Sequence, residues 1–262
     1  PPLSRLQPIQ LRTSRHGLIL AHVVRMTQPR QVLAGTTALI TRRTVQRRHL
    51  FRPDPLIRQL YLYVLAVAAH EYDIMVHALT LMSTHEHLIV TDTRGCLPDF
   101  LRRLHRLVAL GTKRARQWDG PVWDHRRTSV VRLVTPQAII EKMAYVIANP
   151  VQAGLVEKAR DWPGIAFLPQ ELGRRKLVVQ RPEGFFDPTN PKWPAFVELE
   201  LSLPSSLEAE YPCDEVRKSV AMQVKRVEKH SHAERSKTGR KALGAVKIRR
   251  LSPFARATSP EE

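Results

Sequence analysis

Two pairs of residues in this chain have types and spacing that could do chemistry: His85 with His87, and Tyr145 with Asn149. In a strand, side chains two apart share a face, so two such imidazoles stand about 6–7 Å apart at Cα and can converge on one ion. Two ligands are too few for a site, so a third must come from elsewhere. No Cys or further His lies at zinc-finger or HExxH spacing. On a helix, residues four apart are neighbours. Asn149 could therefore offer an amide oxygen beside the Tyr145 phenol. Each pair alone is a weak signal, since a His-X-His recurs by chance and a lone helical Tyr usually packs. Together they suit one chemistry. A divalent ion held by His85, His87 and Asn149 would polarise a phosphate oxygen. Tyr145 Oη would attack phosphorus and leave DNA joined to the tyrosine. The covalent link conserves the phosphodiester energy, so no ATP is needed, and no P-loop motif is present. Imidazole with amide oxygen suits Mg²⁺ or Mn²⁺.

The elements that must position these residues follow from periodicity and punctuation. Thr36–Arg43 alternates and reads as a strand. Pro53-Asp54-Pro55 opens a helix to about His70, with Leu56, Leu60, Tyr63, Val64 and Val67 on its apolar face. Asp73–Met82 and His85–Thr91 read as paired strands around a Ser83-Thr84 turn. A long helix is expected from about Leu97 to Gln117, a strand over Ser129–Val134, and a helix from Pro136 to Asn149-Pro150. The first six elements fit a split βαβ, ferredoxin-like α+β layout: one antiparallel sheet with helices on one face. Beyond residue 165 proline is frequent, and that part reads as mostly loop with a few short elements. Glu208–His232 carries a charged helical pattern.

At this point the sequence resembles the REP-associated tyrosine transposases, a branch of the single-tyrosine HUH transposases. The resemblance runs from about Gly35 to Ile165. It rests on Met82–Val90 around the histidine pair, on Gly120-Pro121-Val122-Trp123 with Arg126 and Ser129, on Tyr145–Val156, and on Asp161-Trp162-Pro163. The resemblance implies Tyr145 as nucleophile, His85 and His87 as metal ligands, and Asn149 as third ligand. It implies cleavage and rejoining of single-stranded DNA at palindromes that fold as hairpins, through a 5′-phosphotyrosine intermediate. Three positions depart from the family: Glu86 stands where a bulky apolar residue is usual, Ala38-Leu39 replaces an aromatic-His pair, and Thr84 replaces Asn. A buried, unpaired carboxylate costs several kcal/mol or shifts its pKa. Glu86 must therefore pair with a neighbouring Arg, reach solvent, or mark a site that has drifted. The last case motivates an alternative: a domesticated, catalytically decayed protein that binds hairpins without cutting.

Composition agrees with a nucleic-acid partner. The 262 residues hold 42 Lys and Arg against 24 Asp and Glu, a net charge of +18. Such a balance predicts a polyanion, single-stranded or hairpin DNA first. Candidate phosphate contacts are Arg42, Arg43, Arg47 and Arg48 after the first strand, Arg102, Arg103, Arg106, Lys113 and Arg114 on the long helix, and Arg126. Trp123 is expected in the core. An RNA-binding sheet would need surface aromatics, and the strands Thr36–Arg43, His85–Thr91 and Ser129–Val134 contain none. With 43% apolar residues the chain can bury a core, and no run is long enough to span a membrane. Two distant cysteines, Cys96 and Cys213, point to a reducing cytoplasm, with association to the nucleoid. Translation is expected to start at Met26, leaving 1–25 a non-native or disordered leader. The catalytic domain is expected over 26–165, a proline-rich irregular segment over 166–206, and a basic tail over 207–262. The tail either clamps DNA or is disordered and merely attracted to it. The working form is a monomer or homodimer.

Overall fold

The computed structural model describes residues 31–258. The expectation for the leader 1–25 therefore lies outside the described residues. Thr36–Arg43 forms β1, with the bounds its alternation predicts. Asp54 caps the next helix by accepting the Ile57 N–H at 2.9 Å. Pro55 then sits in the first turn, where its missing N–H costs nothing. This helix, α1 (Pro55–Tyr72), ends at Asp73 in a left-handed cap, φ 55°. β2 (Ile74–Leu81) and β3 (His85–Asp92) follow, then α2 (Leu97–Arg116), β4 (Ser129–Arg132) and α3 (Pro136–Gln152). α3 continues past Asn149 because only the Pro150 N–H is lost; the Ala153 N–H still reaches the Asn149 carbonyl at 3.0 Å.

β4, β1, β3 and β2 lie side by side in that order, and β5 (Ile165–Ala166) closes the far edge; every pairing is antiparallel. Alternation divides the sheet into two faces. Ala38, Ile40, Leu88 and Val90 pack with α1 and α2, whereas Leu39 and Ile89 pack with α3. The fold is thus α+β on an antiparallel sheet, as expected. Helices on one face describes only the first six elements, because α3 covers the other. The physical reason is that Leu39, Ala78, Met82 and Ile89 make that second face apolar too.

The segment expected to be mostly loop contains a hairpin of β6 (Lys176–Gln180) and β7 (Phe196–Glu200), whose Val179, Val197 and Leu199 join the core over α1. α4 (Ser205–Glu208), α5 (Cys213–Thr238) and α6 (Ala245–Arg250) complete the chain. α5 lays Val216, Val220 and Val224 against α3 at four-residue spacing. Among the described residues, 32–258 form one unit. Among the described residues no helix is long and apolar enough to cross a membrane.

One buried histidine ties three strands and the chain after β7 together. His77 is the extra residue of a bulge between Val76 and Ala78. Its Nδ1–H donates to the Ser202 carbonyl at 2.9 Å, and its Nε2 accepts from Thr91 Oγ1 at 2.7 Å. Thr91 in turn shares a 2.7 Å hydrogen bond with Thr37. Burial holds this imidazole down to about 4. As pH falls, the unfolded chain therefore takes the proton first. Stability is full above about 6.5, declines between 6.5 and about 4, and is level below. His77→Gln removes this one contribution. The difference in unfolding free energy between parent and variant should shrink by about 3 kcal/mol across that window, read by urea melts at each pH. A difference independent of pH would show that His77 does not titrate this way.

Candidate active site

The register of β1 on β3 builds the site. Thr41 faces His87, Arg42 faces Glu86, and Arg43 faces His85. The odd-numbered residues of β3 point toward α3, so both imidazoles stand on that side. Thr41 Oγ1 lies 3.1 Å from His87 Nδ1, and Thr84 Oγ1 lies 2.9 Å from His85 Nδ1. These bonds orient each ring through one nitrogen and leave the other available. The two rings meet edge to face with centroids 4.7 Å apart. From α3, capped by Thr135 through the Ala138 N–H, Tyr145 places its ring 5.3 Å from that of His87.

Burial, then the Arg43 charge, brings the His85 imidazole down to about 4. Burial, then His85 and Arg43, holds His87 well below its usual value. The Asn149 amide opposes the shift at both rings, so it lies beside both. Both imidazoles are neutral at neutral pH and keep a lone pair for a ligand. His87 Nε2 and Asn149 Oδ1 are buried, and beyond the loose contact of the Asn149 amide with the two rings neither has a hydrogen bond of good geometry. Buried polar atoms are nearly always satisfied, and such orphans mark where something else binds. Two imidazoles and an amide oxygen fit a divalent cation. Among the described residues no three His, Cys, Asp or Glu side chains are grouped to hold one.

Glu86 lies between the two histidines in sequence but on the opposite face of β3. It is fully buried and has partners. Tyr61 O–H donates to Glu86 Oε2 at 2.7 Å, and His105 Nε2–H donates to Oε1. Arg42 Nη1 donates to His105 Nδ1 at 2.7 Å. Since Nδ1 accepts from a guanidinium, the proton of this imidazole is on Nε2. His105 is therefore a neutral bridge between the Arg42 cation and the Glu86 anion. Burial and the Glu86 charge push the Tyr61 phenol well up, which keeps it a donor. Glu86 neither reaches solvent nor pairs directly with an Arg: its partners are Tyr61 and His105, and Arg42 reaches it only through His105. No carboxylate enters the cleft at this position.

His85, His87, Tyr145 and Asn149 line a cleft of about 1140 Å³. Of the arginines expected to contact phosphates, Arg42, Arg43, Arg47 and Arg126 line it as well. Arg42, however, spends a donor on His105 and lies 5.0 Å over Trp123, which is buried as expected. Arg48 is not in the wall; it binds the Phe254 carbonyl and covers the Trp118 ring. The α2 residues Arg102, Arg103, Arg106, Lys113 and Arg114 are not in the wall either, because α2 covers the other face of the sheet. Arg102 pairs with Asp99, Arg103 pairs with Glu71 and lies over Trp193, and Arg114 lies over Phe185. Gln46, Arg127 and Arg256 line the cleft without having been singled out from the sequence. Arg127 could have been found beside Arg126; nothing local to Arg256 places it there. Gln46 and Arg47 both hold φ near 52°, a left-handed pair that costs on the order of 1–3 kcal/mol per residue.

No protein-family model matches the chain, and no curated protein does. A solved REP-associated tyrosine transposase bound to a REP hairpin is similar at 17% identity and TM-score 0.47, over 55% of this chain and 84% of that one. A candidate transposase from Deinococcus radiodurans R1 is similar at 18% identity and TM-score 0.32, over 43% of this chain and 89% of that one.

Glu86→Ala strands two buried donors, the Tyr61 hydroxyl and His105 Nε2–H. It should lower the unfolding free energy by about 3–5 kcal/mol in urea melts. Glu86→Leu combined with Tyr61→Phe, His105→Leu and Arg42→Met removes every donor of the network and should recover most of that loss. A loss below about 1 kcal/mol for Glu86→Ala would remove this network as a support of the β1–β3 pair.

Proposed function

We propose that this chain is a metal-dependent transposase that cleaves and rejoins single-stranded DNA at hairpin-forming sequences, with Tyr145 as nucleophile. The observation that carries the reading is one conjunction. Two orphaned, buried ligand atoms, His87 Nε2 and Asn149 Oδ1, share a basic cleft with a tyrosine. The four sequence motifs support it independently.

In this reading His85, His87 and Asn149 hold Mg²⁺ or Mn²⁺, which when bound withdraws charge from a non-bridging phosphate oxygen. Arg43, Arg47 and Arg126 hold the backbone of the strand along the cleft wall by charge-assisted contacts. Tyr145 Oη gives up its proton to water in the open cleft and attacks the scissile phosphorus. The new bond joins Oη to phosphorus. The bond from phosphorus to the 3′ oxygen breaks, and that oxygen takes a proton from water and leaves as a free hydroxyl. The 5′ end stays on the protein as a phosphotyrosine. In the reverse sense a 3′ hydroxyl attacks the phosphotyrosine, expels the phenol and reseals a strand. α3 fixes the phenol on one side, and the β1–β3 pair fixes the imidazoles on the other. The reacting groups are thus positioned before the strand arrives.

Purified protein mixed with single-stranded DNA carrying palindromes from around its own gene should give an adduct on a denaturing gel with Mn²⁺. EDTA should abolish it, and so should Tyr145→Phe. Tight hairpin binding on a native gel with no adduct under any of these conditions would overturn the enzyme reading in favour of a binding protein.

A further inference from the structure

The far end of the chain returns to the cleft. After α6 the backbone runs beside the residues that follow β1. The His49 N–H donates to the Ala255 carbonyl at 3.1 Å, and the Ala257 N–H donates to the Arg47 carbonyl at 2.9 Å. Arg48 and Arg256 form an antiparallel bridge between the two runs. Side chains pin the same segment. Phe254 stacks on Trp118 at 5.8 Å, Arg48 binds the Phe254 carbonyl, and Arg52 Nη1 donates to the Leu251 carbonyl at 3.1 Å. Ala257 is buried beneath, whereas the Arg256 side chain is exposed and lines the cleft.

This strap adds a cation where cations are already crowded. Arg43, Arg47, Arg126 and Arg127 line the same cleft, and Asp124 is the one carboxylate among its lining residues. Like charges gathered in a concave wall repel one another unless a polyanion lies between them. A residue supplied from over 200 positions away therefore has a ligand in view rather than a partner in the fold. We propose that the strap 252–257 is part of the nucleic-acid site, and that Arg256 is a phosphate-binding residue it delivers to the cleft. The proposal rests on the reading of the cleft as a site for single-stranded DNA. Phe254 is the positioning residue: it does not line the cleft, and it acts by holding Arg256 in place.

Fluorescence anisotropy of a labelled single-stranded oligonucleotide, measured in EDTA across a salt series, tests this without any chemistry. Arg256→Gln should weaken binding on the order of fivefold. It should also reduce the log–log salt slope by about 0.7, the share of one phosphate on a single strand. Phe254→Ser should do the same, and the double variant should bind no worse than either single variant, because both act through one contact. Arg256→Lys should restore the slope. Lys176→Gln, on the remote β6–β7 hairpin, gives the background for loss of any surface charge. Additive losses in the double variant, or an Arg256→Gln slope equal to the parent's, would overturn the proposal. A parent chain that binds no single strand at all would overturn the reading of the cleft together with it, so the two failures are distinct.

Discussion

The structure depends on the register of β1 against β3. Side chains alternate across a strand with period two, so a slip of one residue would exchange the faces of the whole strand. In the observed register Arg42 stands across from Glu86, while Thr41 and Arg43 stand across from His87 and His85. One face of this short ladder is a buried ion pair bridged by an imidazole. The other face carries the two histidines that line the cleft. A slip would bury the histidine pair in the α1–α2 core and turn an unpaired carboxylate toward the cleft. The hydrogen bonds around Glu86 can form only in the right register. In that sense a polar residue between the histidines favours the register that turns both imidazoles to the cleft.

A buried ion pair is a poor source of net stability, because desolvation offsets most of the attraction. It is a stronger source of uniqueness here. Two charges separated by a neutral His105 need three elements in place at once: β1 for Arg42, β3 for Glu86 and α2 for His105. Trp123 closes the arrangement from outside, its indole N–H bonding the His105 carbonyl at 2.8 Å. An apolar residue in place of Glu86 would pack without choosing among these partners. The network therefore selects one arrangement of sheet and helix more than it deepens the well.

Much of this was legible in the sequence where the signal is local. β1 has the bounds its alternation predicts, the Asp54 cap starts α1, and the histidine strand and tyrosine helix lie where their periodicity puts them. Arg42 shows a signal present but overridden. It shares parity with Ala38 and Ile40, both fully buried, so alternation alone turns it toward the core. A cluster of four basic residues suggested a surface instead. His105 lies among the buried Leu101, Leu104 and Val108 of α2 and is itself buried, but no local pattern names its partners. The β6–β7 hairpin and the strap were not legible, for a different reason. The strap's partners near Arg48 lie far away in sequence; β7 does alternate, with Val197 and Leu199 buried, but the long proline-rich connection between β6 and β7 carries no turn signal that pairs the two runs.

The helix that carries Tyr145 and Asn149 links the site to the rest of the chain. α3 buries Ile139, Met143, Val146 and Ile147 between the sheet and α5. Its last turn is held further: Arg235 of α5 donates to the Val151 carbonyl at 3.2 Å, and the Leu243 N–H donates to the Gly154 carbonyl at 3.0 Å. Asn149 lies within reach of both sets of contacts, one turn before that end. A helix packed on one face only could roll about its axis, and a small roll would carry the amide away from the imidazoles. Packing on both faces removes that freedom. The C-terminal extension, outside the stretch of family resemblance, thus does for α3 what the Glu86 network does for β3. Each fixes one half of the candidate site, the imidazoles on β3 and the phenol and amide on α3.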